Sequence, residues 1–379
     1  MKHRWRSIVM FTALGLSTSQ AHASDPLPIE RLVTRPEIES SGPVLLGSDG
    51  QGIVIADVTT LKFQAVLTYP TWRGQFVLPK NGDLAYITSS YWERAARGKR
   101  TDVLEIWNVR TASQIGEGIE LPPRLALRGN DKTMAELSAD EKWLLLQNAT
   151  PATSVSIVDM QAKKFAAEIP LPGCFGVYPL KSAANRFVSL CGDGTFVTVG
   201  FDGKGKSTGV QRSGEIFNAD QDPLFTYSVR EGDMLYFVSF LGSLYEVDVS
   251  GTVAKLVERY SLTEGLEGGF RPGGEQILAY VPEAKVVHVL MRPNSKEGDH
   301  REPSSEVWAV NVESNKVISR STVASATGMT YAPLPKPALL INDRDGKQVI
   351  RYAVDPNAAY TVRAEKKLGV AMGHRLEVR

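Results

Sequence analysis

An all-β fold, a β-propeller of seven blades, is predicted for this chain of 379 residues. Seven times an apolar, strand-like run stops on Asp or Asn, passes through a small polar turn and resumes as a second apolar run. Successive stops are 43 to 63 residues apart, and most of these steps are close to the roughly 40 to 50 residues of a four-stranded blade. The stops are Asp57, Asn108, Asp159, Asp202, Asp248, Asn311 and Asp355. Seven such units predict seven blades.

The runs that lead into these stops have the composition of β-strands. Residues 54–57 and 352–355, for example, are rich in β-branched or aromatic side chains. Asp and Asn suit strand ends because their side chains hydrogen-bond to the backbone of the turn and tolerate left-handed φ. A large β-sandwich also has spaced strands and is the alternative fold, but the regular period favours a propeller. Residues 24–40 and 352–367 are expected to meet where the ring closes.

The N-terminus has the three parts of a secretory signal peptide. Three basic residues precede the apolar residues 8–16, and Ala-His-Ala at 21–23 provides a small-x-small cleavage site. We therefore predict a signal peptide at residues 1–23, cleavage before Ser24 and a single propeller domain at residues 24–379. The apolar run is shorter than the roughly 20 residues of a membrane span, so an exported, periplasmic protein with no membrane anchor is expected.

The charge of the chain does not favour a nucleic-acid partner. Removal of the leader takes away three positive charges and changes the net charge from +1 to about −2, whereas nucleic-acid-binding proteins carry a basic face. One basic cluster stands out at residues 94–100, where four of seven residues are Arg or Lys. By itself such a cluster is typical of a solvated loop.

The chain has two cysteines, Cys174 and Cys191. In an oxidising compartment an isolated pair is expected to form a disulfide, and closing a loop of this length stabilises a fold by about 3 kcal/mol. A metal site is the alternative. The histidines of the mature chain, His288, His300 and His374, have no ligand spacing with the cysteines or with one another, which disfavours it.

No catalytic motif is found in the sequence. It has no Gly-rich phosphate loop ahead of a helix, no paired His at helical spacing and no Gly-x-Ser-x-Gly elbow. Acidic pairs such as Glu264 with Glu267, or Asp299 with Glu302, are interpreted as solvated loop charges rather than as a general acid and base. From its residues alone the chain is interpreted as a binding scaffold.

Residues 90–107, with the sequence Ser-Tyr-Trp-Glu-Arg-Ala-Ala-Arg-Gly-Lys-Arg-Thr-Asp-Val-Leu-Glu-Ile-Trp, resemble a signature of the heavy subunit of quinoprotein amine dehydrogenases. That signature reads aromatic-x-Arg-x-x-Arg-Gly-(Lys/Glu)-Arg-(Thr/Ser)-Asp. Residues 97–100 and 147–154 are nearer to the aromatic amine dehydrogenase heavy chain than to the methylamine one. Further matches follow in order at residues 120–123, 146–154, 173–174, 191–194, 271–274 and 296–300.

The resemblance implies a seven-bladed propeller with one internal disulfide, at Cys174 and Cys191, and no redox cofactor of its own. In this family tryptophan tryptophylquinone forms on a separate small light subunit, and two heavy chains assemble with two light chains. Primary amines, here aromatic or aralkyl ones, are oxidised to aldehyde and ammonia on the light subunit, and electrons pass to a blue copper protein such as azurin or amicyanin. The resemblance therefore implies a non-catalytic large subunit that docks the light subunit and lines its substrate channel.

Trp92 is the residue implied to line that channel. This position of the motif carries a large side chain, Phe in the methylamine enzymes, that points toward the active-site entrance. Trp in place of Phe departs from the methylamine pattern and puts the size of the substrate in question. An aromatic side chain packed within a blade is the alternative interpretation.

The basic residues of the motif, Arg97, Lys99 and Arg100, have two interpretations. They pair with acidic groups of the light subunit, or they fix the loop to Asp102 and Glu105 of the same chain. Exposed ion pairs of either kind contribute only about 0 to 1 kcal/mol each.

Two functional classes follow from the sequence. The first is the large subunit of a periplasmic amine dehydrogenase, inactive as an isolated chain. The second is a stand-alone propeller of the same ancestry that binds another ligand without quinone chemistry.

Overall fold

Antiparallel β-strands account for most of the chain, because short apolar segments alternate with turns rich in Gly, Asp and Asn. The predicted signal peptide, residues 1–23, and Ser24 lie outside the residues that the structure describes, and that part stays a prediction. Glu37–Arg379 form one compact unit. The computed structural model describes residues 35–48, 52–68, 74–80, 82–126, 131–373 and 375–379.

Within these ranges there are 29 strands and three short 3-10 helices. The first eight strands are β1 (Val44–Ser48), β2 (Gly52–Asp57), β3 (Phe63–Thr68), β4 (Phe76–Val77), β5 (Leu84–Arg94), β6 (Arg97–Asn108), β7 (Ser113–Gln114) and β8 (Ile119–Leu121). The next twelve are β9 (Ala135–Leu137), β10 (Trp143–Asn148), β11 (Ser154–Asp159), β12 (Lys164–Pro170), β13 (Cys174–Pro179), β14 (Arg186–Cys191), β15 (Phe196–Phe201), β16 (Ser207–Arg212), β17 (Val229–Glu231), β18 (Met234–Val238), β19 (Ser243–Asp248) and β20 (Lys255–Ser261). The last nine are β21 (Arg271–Pro272), β22 (Leu278–Val281), β23 (Val286–Arg292), β24 (Ser304–Asn311), β25 (Lys316–Ala332), β26 (Ala338–Asp343), β27 (Gln348–Asp355), β28 (Thr361–Leu368) and β29 (Arg375–Val378). The 3-10 helices are Lys132–Met134, Pro282–Ala284 and Pro356–Ala358.

Most strands belong to five separate blades. Four blades have four strands each, in the orders β29-β1-β2-β3, β9-β10-β11-β12, β13-β14-β15-β16 and β17-β18-β19-β20. The fifth has the order β4-β5-β6-β7, with β8 also paired to β6. Within each blade the strands run as an antiparallel meander, which is the local pairing of a propeller rather than the long connections of a Greek-key sandwich. The all-β propeller prediction is confirmed.

The predicted number of seven blades is wrong. Besides the five separate blades, the described residues form one continuous eight-stranded sheet in the order β21-β23-β24-β25-β26-β27-β28, with β22 paired to β23. β25 joins its halves, because its 17 residues pair with β24 at one end and with β26 at the other. Residues 316–332 contain no proline and only one glycine, Gly328, so the sequence has no strong breaker that ends this strand.

The Asp and Asn stops behave as their chemistry predicts. Each of the seven ends a strand or directly follows one. The side-chain oxygen of Asn108 accepts hydrogen bonds from the backbone N–H groups of Arg110 at 2.8 Å and Thr111 at 2.9 Å. Asp159 accepts one from Ala162 at 2.8 Å. The stops therefore mark the hairpin turns of successive sheet units.

The C-terminal strand β29 closes the ring by pairing with β1. Leu45, Leu340 and Leu376, which come from the first blade and the eight-stranded sheet, are fully buried in one cluster at this closure. The expectation that residues 24–40 and 352–367 meet at this closure is wrong for residues 352–367, because they belong to β27 and β28 of the eight-stranded sheet. Residues 24–34 lie outside the described residues.

Cys174 and Cys191 form a disulfide. They lie opposite each other at the start of β13 and the end of β14, with their Cα atoms 3.9 Å apart, and both are buried. The predicted intrachain bridge is confirmed.

Candidate functional site

The hairpin of β5 and β6 extends beyond the rest of its blade. Its strands have 11 and 12 residues, about twice the usual strand length. The neighbouring strands β4, β7 and β8 pair only with the hairpin's base, from Asp102 onward on β6. In the described chain, residues 91–101 therefore pair only with one another.

The tip of the hairpin needs left-handed backbone conformations at two positions. Ala95 has φ 52° and Gly98 has φ 93°. A Cβ on Gly98 would lie 2.8 Å from a carboxylate oxygen of Glu93, and this oxygen accepts a hydrogen bond from the backbone N–H of Lys99 at 3.1 Å. Glycine at position 98 therefore permits the shape of the tip.

Trp92 lies opposite Arg100 in the hairpin and is half-buried. The Arg100 Cζ atom is 5.8 Å from the centroid of the Trp92 ring, within the range of a cation–π contact. The buried apolar clusters of the described blades on either side of this hairpin do not include Trp92. The indole is thus positioned at the tip with part of its ring open to solvent.

Arg100 is held by groups of its own chain. Its Nε and Nη2 atoms donate to the two carboxylate oxygens of Asp102 at 2.6 and 2.7 Å, and Nη2 also donates to the carbonyl of Leu125 at 2.9 Å. Asp102 is fully buried and accepts two further hydrogen bonds, from Ser90 Oγ at 2.6 Å and from Leu125 N–H at 3.0 Å. For Arg100 the geometry favours the intrachain interpretation.

Arg97 and Lys99 project from the tip without such partners. Both side chains are exposed, as is that of Arg94. In the described part of the chain none of these three cations forms an ion pair, and the nearby acid Glu93 is engaged by backbone N–H of Lys99. The basic motif is therefore divided into one anchored arginine, whose side chain is 12% exposed, and three outward-facing positive charges.

A second polar group of the hairpin is not evident from the sequence motif. The Tyr91 hydroxyl donates to the carboxylate of Glu105, and Trp107 Nε1 donates to the same carboxylate at 3.0 Å. Burial and the hydrogen bond to Glu105 raise the pKa of Tyr91 to about 12. The signal was the spacing of Glu105 and Trp107, since alternate residues of a strand share one face.

The hairpin tip lies on the same face of the ring as the disulfide. Leu125, which contacts Asp102, also bridges to Asn148 at the end of β10. The preceding residue of β10, Gln147, accepts a hydrogen bond from the backbone N–H of Gly176 at 2.9 Å, near the start of β13 where the disulfide lies. We call this surface, with the β5–β6 tip, the β10–β11 turn and the disulfide, the tip face.

A family model described as methylamine dehydrogenase heavy chain matches residues 70–361. The chain belongs to this family. The matched region includes the complete β5–β6 hairpin and both cysteines, so the geometry described above lies within the heavy-chain-like part of the molecule.

Curated relatives of the heavy-chain family are similar over much of the chain. The methylamine dehydrogenase heavy chain of Methylorubrum extorquens is 30% identical over 304 residues, which are 77% of this chain and 71% of that protein. The heavy chain of Methylophilus methylotrophus is 28% identical over 248 residues, which are 64% of this chain and 60% of that protein. The chain thus spans between 60% and 71% of the length of these two relatives.

Solved structures outside the heavy-chain family share the fold. The periplasmic gluconolactonase PpgL of Pseudomonas aeruginosa has a TM-score of 0.62 at 12% identity and covers 89% of this chain and 98% of its own. A putative 6-phosphogluconolactonase of Bacteroides uniformis has a TM-score of 0.61 at 12% identity and covers 91% of this chain and 100% of its own. At these identities the likeness is one of fold alone.

The histidines of this heavy-chain-family protein do not converge on a site in the part described. His288 is fully buried with Nε2 3.0 Å from the carbonyl of Tyr360, and His300 stacks on Phe240 with ring centroids 4.7 Å apart. His374 lies outside the described residues. Among those residues, no group of three or more His, Cys, Asp or Glu side chains is placed to hold a metal ion.

One of the two acidic pairs noted in the sequence, Asp299 with Glu302, forms ion pairs with arginines. Asp299 pairs with Arg292 at 2.9 Å and Glu302 with Arg344 at 2.9 Å.

No helix within the described ranges is long and apolar enough to cross a membrane.

Proposed function

We propose that this chain is the large subunit of a periplasmic amine dehydrogenase and that it docks a small light subunit carrying tryptophan tryptophylquinone. Membership of the methylamine dehydrogenase heavy-chain family is the observation that supports the proposal. The proposed reaction is the oxidative deamination of primary amines to aldehyde and ammonia, for which the light subunit's quinone supplies the redox chemistry. The proposed assembly contains two heavy and two light chains.

The tip face is the proposed docking surface for the light subunit. It presents the half-buried ring of Trp92, the Tyr91 ring, which is 41% exposed, and the charges of Arg97 and Lys99. Exposed ion pairs contribute only about 0 to 1 kcal/mol each, whereas aromatic residues at the centre of an interface carry most of the binding energy. The aromatic pair is therefore proposed to supply affinity, and the two cations to select an acidic partner surface.

Trp92 is proposed to form part of the wall of the substrate channel. Its ring contacts Arg100, and Arg100 is fixed by the buried Asp102, so the indole has a firm support from within its own chain. A channel wall at a fixed position discriminates between substrates by size. A difference of one methylene between two substrates changes their discrimination by about 1 to 3 kcal/mol.

Aromatic or aralkyl primary amines are the proposed substrates. Support comes from residues 97–100 and 147–154, whose sequence resembles the aromatic amine dehydrogenase heavy chain more than the methylamine one. The curated relatives are named for methylamine, so a comparison of phenethylamine with methylamine as substrates tests this part of the proposal. Faster turnover of methylamine at equal concentration would contradict it.

An azurin- or amicyanin-like blue copper protein is the proposed electron acceptor. For this chain to meet such an acceptor in the periplasm it must be exported, and the predicted signal peptide at residues 1–23 would direct that export. The check is N-terminal sequencing of the chain recovered from a periplasmic fraction. A start at Ser24 is expected, and retention of residues 1–23 or a cytoplasmic location would contradict the export proposal.

The experiment that tests the proposed function co-expresses this chain with a small exported protein rich in Cys and carrying two Trp, sought in the neighbouring reading frame. Co-purification and dye-linked amine oxidation are expected, whereas this chain by itself should show no quinone absorbance and no amine oxidation. Absence of such a reading frame, or failure of the two chains to co-purify, would favour the stand-alone propeller instead.

A further inference from the structure

A cavity of about 380 Å³, here called the axial cavity, is lined by residues on or beside strands β9, β13, β17, β22 and β25, which belong to four different sheets. Its wall includes Pro179, Arg230 and Pro282, at or next to the ends of strands β13, β17 and β22, together with the 3-10 helix Lys132–Met134. β13 begins at the disulfide on the tip face and ends at Pro179, so this part of the wall lies toward the face opposite the tip. None of the residues that line the cavity belongs to the β5–β6 tip, the β10–β11 turn or the disulfide.

Lys132 presents a charged amine to this cavity. Its Nζ atom is 2.9 Å from a carboxylate oxygen of Glu377, and no other hydrogen bond to Nζ is present in the described chain. Burial disfavours the charge, but the carboxylates of Glu377 and Glu136 outweigh burial and raise the pKa of Lys132. An ammonium has three donors, so Lys132 has donor capacity left for a ligand.

Glu136 presents a carboxylate to the same cavity. Within the described residues its side chain has neither a hydrogen bond nor an ion pair, although its charge acts on Lys132, Lys181 and Arg230. Arg230 is already occupied, because its guanidinium donates to the carbonyls of Pro179 and Gly232 and pairs with an aspartate at 3.3 Å. Glu136 is thus an acceptor without a protein donor.

The remaining wall is mainly aromatic and aliphatic. Tyr178 and Tyr280 direct their hydroxyls to protein acceptors, Thr226 carbonyl at 2.5 Å and Glu231 carboxylate at 2.7 Å, so their rings face the cavity as apolar surface. The hydroxyl of Tyr227 has no hydrogen-bond partner in the described part of the chain. The cavity therefore combines apolar ring surface with polar groups that can still form hydrogen bonds, namely those of Lys132, Glu136 and Tyr227.

We propose that this axial cavity binds a small zwitterion of the amino-acid class with an aromatic side chain. The ligand's ammonium would bind Glu136, its carboxylate would bind Lys132 and the Tyr227 hydroxyl, and its ring would pack against Tyr178 and Tyr280. A pocket of several hundred cubic ångströms with few convergent polar groups on apolar walls is typical of small-molecule sites.

A zwitterion satisfies the cavity better than a ligand with one charge. An organic cation would engage Glu136 but leave the spare donors of Lys132 without an acceptor. An organic anion would engage Lys132 but place its charge near the unpaired Glu136 carboxylate. Lys132 and Glu136 are half-buried, and leaving a partly desolvated charge without a counter-charge is unfavourable, so charges of both signs on the ligand are favoured.

The test is isothermal titration calorimetry of the purified full chain with L-phenylalanine, phenethylamine and phenylacetate. These probes share one ring and differ in charge. We expect L-phenylalanine to bind at least about tenfold more tightly than either singly charged probe. This ratio of dissociation constants corresponds to the free energy of one good charged contact. No measurable binding of L-phenylalanine, or equal or tighter binding of phenethylamine or phenylacetate, would overturn it.

A Glu136→Gln variant tests the assignment of the ammonium contact. We expect this variant to bind L-phenylalanine about tenfold or more weakly and to prefer L-phenylalanine over phenylacetate less than the wild type does. Glu258→Gln, on the exposed strand β20, is the matched control and should change neither. Unchanged binding in Glu136→Gln would overturn the assignment. The titration uses no light subunit, so its failure leaves the docking proposal intact, and failure of docking leaves this proposal intact.

Discussion

Trp92 is the residue on which the proposed substrate selectivity depends. In the co-purified heavy and light complex, Trp92→Ala should change the ratio of kcat/KM for phenethylamine over methylamine by about tenfold or more, because removing the ring removes a contact worth about 1 to 3 kcal/mol. Trp92→Phe should change the ratio less, since it keeps a ring. The measurement is steady-state kinetics with a dye acceptor.

Phe63→Ala is the control for that series. Phe63 is 50% exposed on the outer strand β3, away from the β5–β6 tip, and its removal should leave the substrate ratio unchanged. An unchanged ratio in Trp92→Ala would remove Trp92 from the channel.

His288 should make the stability of the fold sensitive to mild acid. Burial lowers the pKa of His288 from 6.5 to about 4, against the hydrogen bond with the Tyr360 carbonyl. The unfolded histidine therefore binds a proton that the folded one does not between these pH values, so stability decreases as pH falls from about 6.5 to about 4. The loss attributable to this side chain is about 3 kcal/mol.

Urea unfolding of wild type and His288→Gln at pH 7 and at pH 4.5 checks this expectation. Carboxylates also titrate in this range, so the informative quantity is the difference in pH dependence between the two proteins. The wild type should lose more stability than the variant. Parallel losses in both proteins would show that His288 does not contribute.

At the scale of single residues, the functional candidates could be predicted from the sequence, but the partners of their side chains could not. The resemblance drew attention to residues 90–107, and the alternating spacing of Arg100 and Asp102 places both on one face of β6. The choice between intrachain and intersubunit pairing also depended on the carbonyl and N–H of Leu125. That segment is remote in sequence, and no local pattern predicts its position.

The β5–β6 hairpin depends, as an element, on the ion pair between Arg100 and Asp102. The side chain of Arg100 is 12% exposed and that of Asp102 is fully buried. Asp102→Asn keeps the shape but leaves the guanidinium without its counter-charge, and breaking such a pair costs about 3 kcal/mol. The expected loss is measured by urea unfolding followed by circular dichroism.

Asp193→Asn is the matched control for the hairpin variant. Its pair with Arg212 has both side chains exposed, at 58% and 46%, and exposed pairs are worth about 0 to 1 kcal/mol. Equal losses from the two variants would mean that the buried pair does not hold the tip.

The elements themselves were predicted largely from turn chemistry. Asn108 and Asp159 end strands and accept backbone hydrogen bonds in the following turn, as their residue types indicate. The separation of blades was not predictable in the same way. β25 crosses from one half of the large sheet to the other without a turn, and a stop-based pattern counts turns rather than continuous strands.

Ring closure by β29 should control the stability of the whole molecule. Removing residues 375–379 deletes the strand that pairs with β1 and takes Leu376, which is fully buried, out of the closure. The expected loss is more than about 5 kcal/mol, comparable to the whole stability of many domains. Leu376→Ala, which removes only the side chain, should cost about 2 to 5 kcal/mol.

Differential scanning calorimetry of the full chain, Leu376→Ala and the truncated chain provides the measurement. A graded decrease in that order is expected. A truncated chain as stable as the full one would show that the ring does not depend on this strand. The closing strand was not predicted because residues 375–378 are a short Arg-Leu-Glu-Val segment whose partner lies at the other end of the chain.

At the scale of the molecule, the fold provides two separate faces, and the docking of a light subunit on the tip face is the central claim. A cryo-electron microscopy structure of the co-purified complex tests it most directly. We predict the light subunit seated on the tip face, with the Trp92 ring in van der Waals contact with it and Arg97 and Lys99 within the interface. A light subunit bound to another surface, with Trp92 open to solvent, would contradict the claim.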